Sequence, residues 1–168
     1  VNAYDMKFNI SQSNIKFHFN YFVNSKHTLD FGLSSIYYTL HPGSFQPRGA
    51  KSLVIPDIID KEQALESALY LTEKYNITPQ FSAQAGIRFS LYNYLGPQTI
   101  YRYAEGIPKE ENNMTDTLLY GKGKFINTYN GPEYRISLRY AVTDNFSVKA
   151  GYNSMRQYIH TLSNTTAM

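Results

Sequence analysis

The chain has 168 residues, enough for one domain, and it contains no Cys and no Trp but 16 Tyr and 10 Phe. The lack of Cys excludes a disulfide scaffold and thiolate metal sites. A net charge of +3 without a dense basic block argues against nucleic acid as a partner. No apolar run approaches the ~20 residues of a membrane helix. The mean hydropathy of −0.42 resembles that of a soluble protein. That index is blind to a membrane β-barrel, however, because each lipid-facing residue alternates with a polar one.

In chain order, Tyr4, Met6, Phe8 and Ile10 alternate with polar residues and predict a first strand. Ser11 to Asn14 reads as a polar turn. Ile15, Phe17, Phe19, Tyr21 and Val23 predict a second strand, and Asn24-Ser25-Lys26-His27 a second turn. Leu29, Phe31 and Leu33 alternate with Asp30, Gly32 and Ser34, and the pattern frays at Ile36-Tyr37-Tyr38. From His41 to about residue 60 there is no periodicity; Pro42, Gly43, Pro47, Gly49 and Pro56 punctuate a predicted long loop. Asp60 to Tyr75 is ambiguous. Lys61 to Leu69 is rich in helix formers, and Asp60 with Gln63 resembles a capping box. The strand reading is preferred, because the next strand begins after only Thr78-Pro79, a hairpin-length connection.

Gln80 to Leu95 carries the cleanest pattern. Phe81, Ala83, Ala85, Ile87, Phe89 and Leu91 form one apolar face; Gln80, Ser82, Gln84, Gly86, Arg88 and Ser90 form a polar one. At about 3.3 Å per residue this strand spans roughly 50 Å, longer than strands of small soluble domains. Residues 96–130 read as a second long loop with a charged tip from Gly106 to Thr117. Tyr134, Ile136, Leu138, Tyr140 and Val142 then alternate with Glu133, Arg135, Ser137, Arg139 and Ala141. A tight turn at Thr143-Asp144-Asn145 leads to Phe146, Val148, Ala150 and Tyr152, alternating with Ser147, Lys149, Gly151 and Asn153. Ser163 to Met168 reads as the root of another loop.

The expected fold is therefore all-β: an antiparallel meander of about seven long strands forming part of a transmembrane β-barrel. Short connections (24–27, 77–79, 143–145) alternate with long ones (41–60, 96–130), so short turns share one rim and long loops the other. A barrel of the bacterial outer membrane has this asymmetry. Aromatics cluster near strand ends as two interfacial girdles would: Tyr21, Phe22, Tyr75, Phe81, Tyr140 and Phe146 by the short turns, and Tyr37, Tyr38, Tyr92, Tyr94 and Tyr134 by the long loops.

The segments 24–32, 85–94 and 135–152 running on into Gln157-Tyr158-Ile159-His160 resemble the barrel of TonB-dependent outer-membrane receptors, above all those of Bacteroidetes-type bacteria. Arg-Ile-Ser-Leu-Arg-Tyr at 135–140 with Ser-Val-Lys-Ala-Gly-Tyr-Asn at 147–153 carries most of the specificity. The resemblance covers nearly the whole chain and implies a bacterial outer-membrane location. It implies a barrel of 22 strands around a plug, importing a scarce nutrient (a metal chelate, vitamin or glycan). Implied partners are outer-membrane lipid, the rest of the same barrel and its plug, and the inner-membrane complex that supplies energy through that plug. Residues 1–168 are expected to be a partial barrel, an interior slice without the plug and remaining strands. The competing class is a soluble β-sandwich carbohydrate-binding module.

Site chemistry is sparse. His18, His27, His41 and His160 fall on separate elements without ligand spacing, so no metal site and no cofactor are expected. No Ser-His-Asp or Cys-His arrangement suggests an enzyme, and no catalytic residue is assigned. Gly121-Lys122-Gly123-Lys124 lacks the glycine spacing and hydroxyl of a phosphate loop. Arg88, Arg135, Arg139 and Lys149, with Lys16, Asp30, Glu66 and Glu133, are expected on the lumen side, where polar residues of any such barrel lie. Tyr101, Tyr103, Tyr120 and Tyr129 in the second long loop are the candidates for stacking on a substrate.

Overall fold

The computed structural model describes residues 3–49 and 51–159. Its strands in chain order are β1 (Tyr4–Phe22), β2 (His27–Pro47), β3 (Asp57–Ile58), β4 (Glu62–Asn76), β5 (Phe81–Leu95), β6 (Gln98–Tyr103), β7 (Met114–Tyr120), β8 (Phe125–Thr143) and β9 (Phe146–Ser154). Seven of them form one sheet in the order β1-β2-β4-β5-β8-β9, with β3 paired to β2; β6 and β7 form a separate hairpin. Pairing is antiparallel at β8–β9 and at β2–β3. Among the described residues, β1 and β9 are the sheet's edges.

The all-β meander expected from alternation is present, but its strands are divided differently. Ser11 to Asn14 is not a turn: β1 runs through it as a single strand of 19 residues. The apolar parity changes there, from even positions through Ile10 to odd positions from Ile15, and that change imitates a break. His41 to Pro47 is not loop either, because β2 extends to Pro47 over 21 residues. A proline removes one ladder hydrogen bond without ending a strand that has partners on both sides. Here the Arg48 amide reaches the Ala3 carbonyl at 2.9 Å, and the Ile59 amide reaches the Gly43 carbonyl at 3.0 Å.

Residues 62–76 form the strand β4, not a helix. Tertiary pairing overrides helix propensity, which is worth only tenths of a kcal/mol per residue, roughly. The connection to β5 is the short one expected: the Ile77 amide donates to the Phe81 carbonyl at 2.9 Å, and Thr78 Oγ1 accepts from the Phe81 amide at 3.0 Å. The predicted loop 96–130 is instead largely ordered as strand. It contains the β6–β7 hairpin, and the long strand β8 resumes at Phe125, so Phe125 to Asn130 belong to the sheet. Gly106 to Thr117 holds a short 3-10 turn at Glu111–Asn113 and the first residues of β7.

The chain divides into two compact units. The first comprises 1–14, 36–66 and 93–128; the second comprises 15–35, 67–92 and 129–168. The second unit holds all three short turns, and the first holds both long excursions. Within the second unit the two faces differ most clearly on β5, and large apolar residues of several strands are bare. Ile87, Phe89 and Leu91 of β5 are exposed, as are Ile136, Leu138, Tyr140 and Val142 of β8 and Leu69 and Leu71 of β4. Between them on β5, Ser90 is fully buried and Tyr92 nearly so. On β5 the apolar side is thus the bare one and the polar side the covered one, the inverse of a soluble sheet packed on a core.

A glycine allows one close approach on the polar face. The Tyr70 ring lies over Gly32, where a Cβ would stand 2.6 Å from the Tyr70 hydroxyl and collide with the Phe17 carbonyl oxygen. Tyr70 also meets His18 Nδ1 through its hydroxyl at 2.8 Å, and its ring lies under Lys16 Nζ at 5.5 Å. Gly32→Ala is therefore expected to destabilise the barrel by about 1–3 kcal/mol, because backbone as well as a ring must move. Urea unfolding of the whole receptor in lipid vesicles measures this; an unchanged midpoint would contradict the packing.

Candidate functional site

The best-defined polar cluster lies on the covered face of β5 and β8, within the second unit. Glu133 is only 6% exposed, and its carboxylate is held from two sides. Arg88 Nη1 approaches Oε2 at 3.3 Å, and Ser90 Oγ donates to Oε1 at 2.8 Å. The single Ser90 proton is committed to the carboxylate, which can only accept. The Tyr158 hydroxyl, 2.8 Å from Ser90 Oγ, is then the donor of that contact. Its ring stacks on Tyr92 at 5.3 Å and 14°, and Tyr92 meets Tyr129 at 6.4 Å. The chain after β9 thus returns across the face of β8, where Arg156 Nε donates to the Pro132 carbonyl at 3.4 Å. The burial of Glu133 is tolerable because its charge is both paired and hydrogen-bonded. This arrangement contains no activated nucleophile; it ties strands together.

Arg88 and Glu133 fall on one face, as the alternation required. Arg135, Arg139 and Lys149 share the Glu133 side, fixed by the registers Arg135↔Asn153 and Arg139↔Lys149, and all three are exposed. Asp30 accepts from Asn20 Nδ2, and Glu66 lies 3.5 Å from the Tyr38 hydroxyl. The four candidate tyrosines are distributed differently from expectation. Tyr101 and Tyr103 sit two apart on one face of β6. Tyr120 is opposite Gln98 in the register and hence on the other face of that hairpin. Tyr129 is a strand residue of β8 in the second unit, not a loop residue.

Tyr92 is also reassigned, from an interfacial girdle to the buried stack with Tyr158. Tyr21, Tyr140 and Phe146 near the short turns and Tyr134 on the other side remain exposed. His27 joins Glu73 at 2.7 Å and stacks on Tyr75 at 4.2 Å. His160 and Ser163 to Met168 lie outside the described residues. Among the described residues no group of three or more His, Cys, Asp or Glu side chains could hold a metal. The contacts of Tyr158 and Arg156 had no sequence signal: 68 positions separate Tyr158 from Ser90, and a single aromatic after a fading strand carries no period.

A sheet with its apolar face bare, its polar face hydrogen-bonded and long strands joined by short turns defines the wall of a membrane-spanning β-barrel. Residues 2–165 match the family described as TonB dependent receptor-like, beta-barrel, and the chain belongs to it. No curated protein and no solved structure gives a significant match. The family resides in the bacterial outer membrane and consists of transporters, not enzymes. The soluble β-sandwich reading is set aside on this membership and on the bare apolar face.

Proposed function

We propose that this chain is part of the wall of a receptor that imports a scarce nutrient across the outer membrane, with energy relayed from the inner membrane through a plug inside the barrel. The observation that carries the reading is the two-faced sheet of family-matched strands, with every short turn in one unit and both excursions in the other. The remaining staves and the plug belong to the rest of the receptor. In hydrocarbon the unpaired backbone groups along the edges β1 and β9 each cost several kcal/mol, roughly, so further strands must cover them. The apolar face meets lipid. The likeness at 135–153 points to a Bacteroidetes-type receptor, and the cargo is a metal chelate, a vitamin or a glycan.

Tyr101 and Tyr103, on one face of β6, are the pair placed to stack on that cargo; Tyr101 is half exposed. Tyr120, on the other face of that hairpin, serves as a comparison position. The experiment is growth of a strain lacking the whole receptor gene when iron chelates, vitamins or glycans are the limiting supply. Loss of growth on one of these, restored by the gene, is expected. Tyr101→Ala with Tyr103→Ala should lower uptake of that nutrient about 30-fold if each ring contributes roughly 1 kcal/mol. Normal uptake of every class by the deletion strain would overturn the import reading.

A further inference from the structure

Glu73 interrupts the apolar parity of β4, on the side it shares with Leu69, Leu71 and Tyr75. It stands beside the short turns of the second unit, against His27 at the start of β2. Its Oε1 lies 2.7 Å from His27 Nδ1, and the His27 ring stacks on Tyr75 with centroids 4.2 Å apart. An ionised carboxylate only accepts, so Nδ1 carries the proton of that contact. Glu73 Oε2 then remains as an acceptor, and in the neutral imidazole His27 Nε2 is a second one. Neither atom has another polar partner among the described residues, and the Glu73 side chain is 49% exposed. The turn itself is closed without the carboxylate. Asn24 Oδ1 accepts from the Lys26 and His27 amides at 2.8 and 3.0 Å, and the Asn76 amide donates to the Lys26 carbonyl at 2.8 Å.

Further along the same strands lies a shallow apolar groove, lined by Phe19 of β1, Phe31 and Leu33 of β2, Leu69 and Leu71 of β4 and Ile87 of β5. Leu71 is two residues from Glu73, about 7 Å along the strand. The headgroup layer on each side of a bilayer is about 5–8 Å thick. Carboxylate and groove are therefore spaced as the headgroup and the first acyl carbons of one lipid are.

We propose that Glu73, His27 and this groove form a binding site for a phospholipid whose headgroup ends in a primary ammonium, such as phosphatidylethanolamine. A primary ammonium offers a positive charge and three N–H donors to the two free acceptors. A quaternary ammonium has no N–H to give, and an anionic headgroup is repelled by the carboxylate. The groove takes an acyl chain, since its lining continues the apolar side that meets lipid. The inference rests on that reading, given under Proposed function, and adds a preference for one headgroup at one place. Short turns of outer-membrane barrels lie on the periplasmic side, so the lipid belongs to the periplasmic leaflet.

The test uses the complete receptor in vesicles containing equal parts of dioleoyl phosphatidylethanolamine, phosphatidylcholine and phosphatidylglycerol, so that only the headgroups differ. The receptor is extracted in mild detergent, and the lipids it retains are counted by native mass spectrometry. Folding of each variant is checked by its heat-dependent mobility on gels. Wild type is expected to retain phosphatidylethanolamine at least 10-fold over the other two lipids. Glu73→Gln, which keeps shape and removes the charge, should lose that preference while still carrying lipid without regard to headgroup. His27→Gln should weaken the preference in the same direction, and Glu73→Asp should keep part of it. Equal retention of the three headgroups by wild type would overturn the proposal and leave the lipid-facing reading intact. So would a preference for phosphatidylethanolamine that Glu73→Gln retains in full, which would place the headgroup site elsewhere on the receptor. A receptor that stays in solution without detergent and carries no lipid would instead overturn the membrane reading itself and this inference with it.

Discussion

Arginine at Ile87 or at Leu138 is expected to destabilise the barrel by about 2–4 kcal/mol if the position lies near the bilayer midplane. Both side chains lie on the bare apolar face and are close to half exposed, at 48% and 42%. In water an arginine at such a position would be almost neutral, since the side chain would be solvated and little packing lost. In hydrocarbon the guanidinium must snorkel or draw in water, which is the source of the cost. The contrast between these two outcomes makes the substitution informative. Unfolding of the whole receptor in lipid vesicles by urea should show the loss, while the same receptor in a water-rich detergent should show less of it. A change under about 0.5 kcal/mol in vesicles would place these residues outside the membrane core.

Replacing Glu133 is expected to have the next largest effect. Glu133→Ala removes the short acceptor of Ser90, which in turn orders Tyr158, and takes one carboxylate contact from Arg88. Removing one partner of a fully buried pair costs about 3–5 kcal/mol. The Arg88 side chain is 32% exposed, so water recovers part of its solvation and the expected loss is lower, about 1.5–3 kcal/mol. Ser90→Ala, which keeps the ion pair, should cost about 1 kcal/mol less than Glu133→Ala. Equal stability of wild type and Glu133→Ala in urea would contradict the network.

The sequence displays the fold best where a strand has lipid on one side and polar partners on the other. Phe81 to Leu91 and Tyr134 to Tyr152 alternate cleanly, and both segments are strands as that alternation requires. Phe125 to Asn130 lie in the same strand as Glu133 but mix Thr, Asn, Ile and Tyr without a period, so they read as loop. The seven-residue tail of β2 from His41 carries prolines that mimic a loop, while its partners at Ala3 and Ile59 are distant in sequence. Ser11 to Asn14 misleads for a third reason: the apolar parity changes inside a continuous strand. Of the candidate site, alternation alone placed Arg88, Glu133, Arg135, Arg139 and Lys149 on one face. The engagement of Tyr158 and the separation of Tyr120 from Tyr101 depend on register, which no local pattern encodes.

The central claim is that the apolar parity of β5 and β8 faces lipid. It is tested most directly by placing single cysteines, one at a time, from Phe81 to Leu91 and from Tyr134 to Val142 in the complete receptor. The native segment contributes no background thiol. A lipid-phase thiol probe should label odd positions of β5 and even positions of β8, and a water-phase probe should not reach those positions. Labelling of both parities alike by the lipid-phase probe would contradict the assignment of this sheet as a membrane barrel wall.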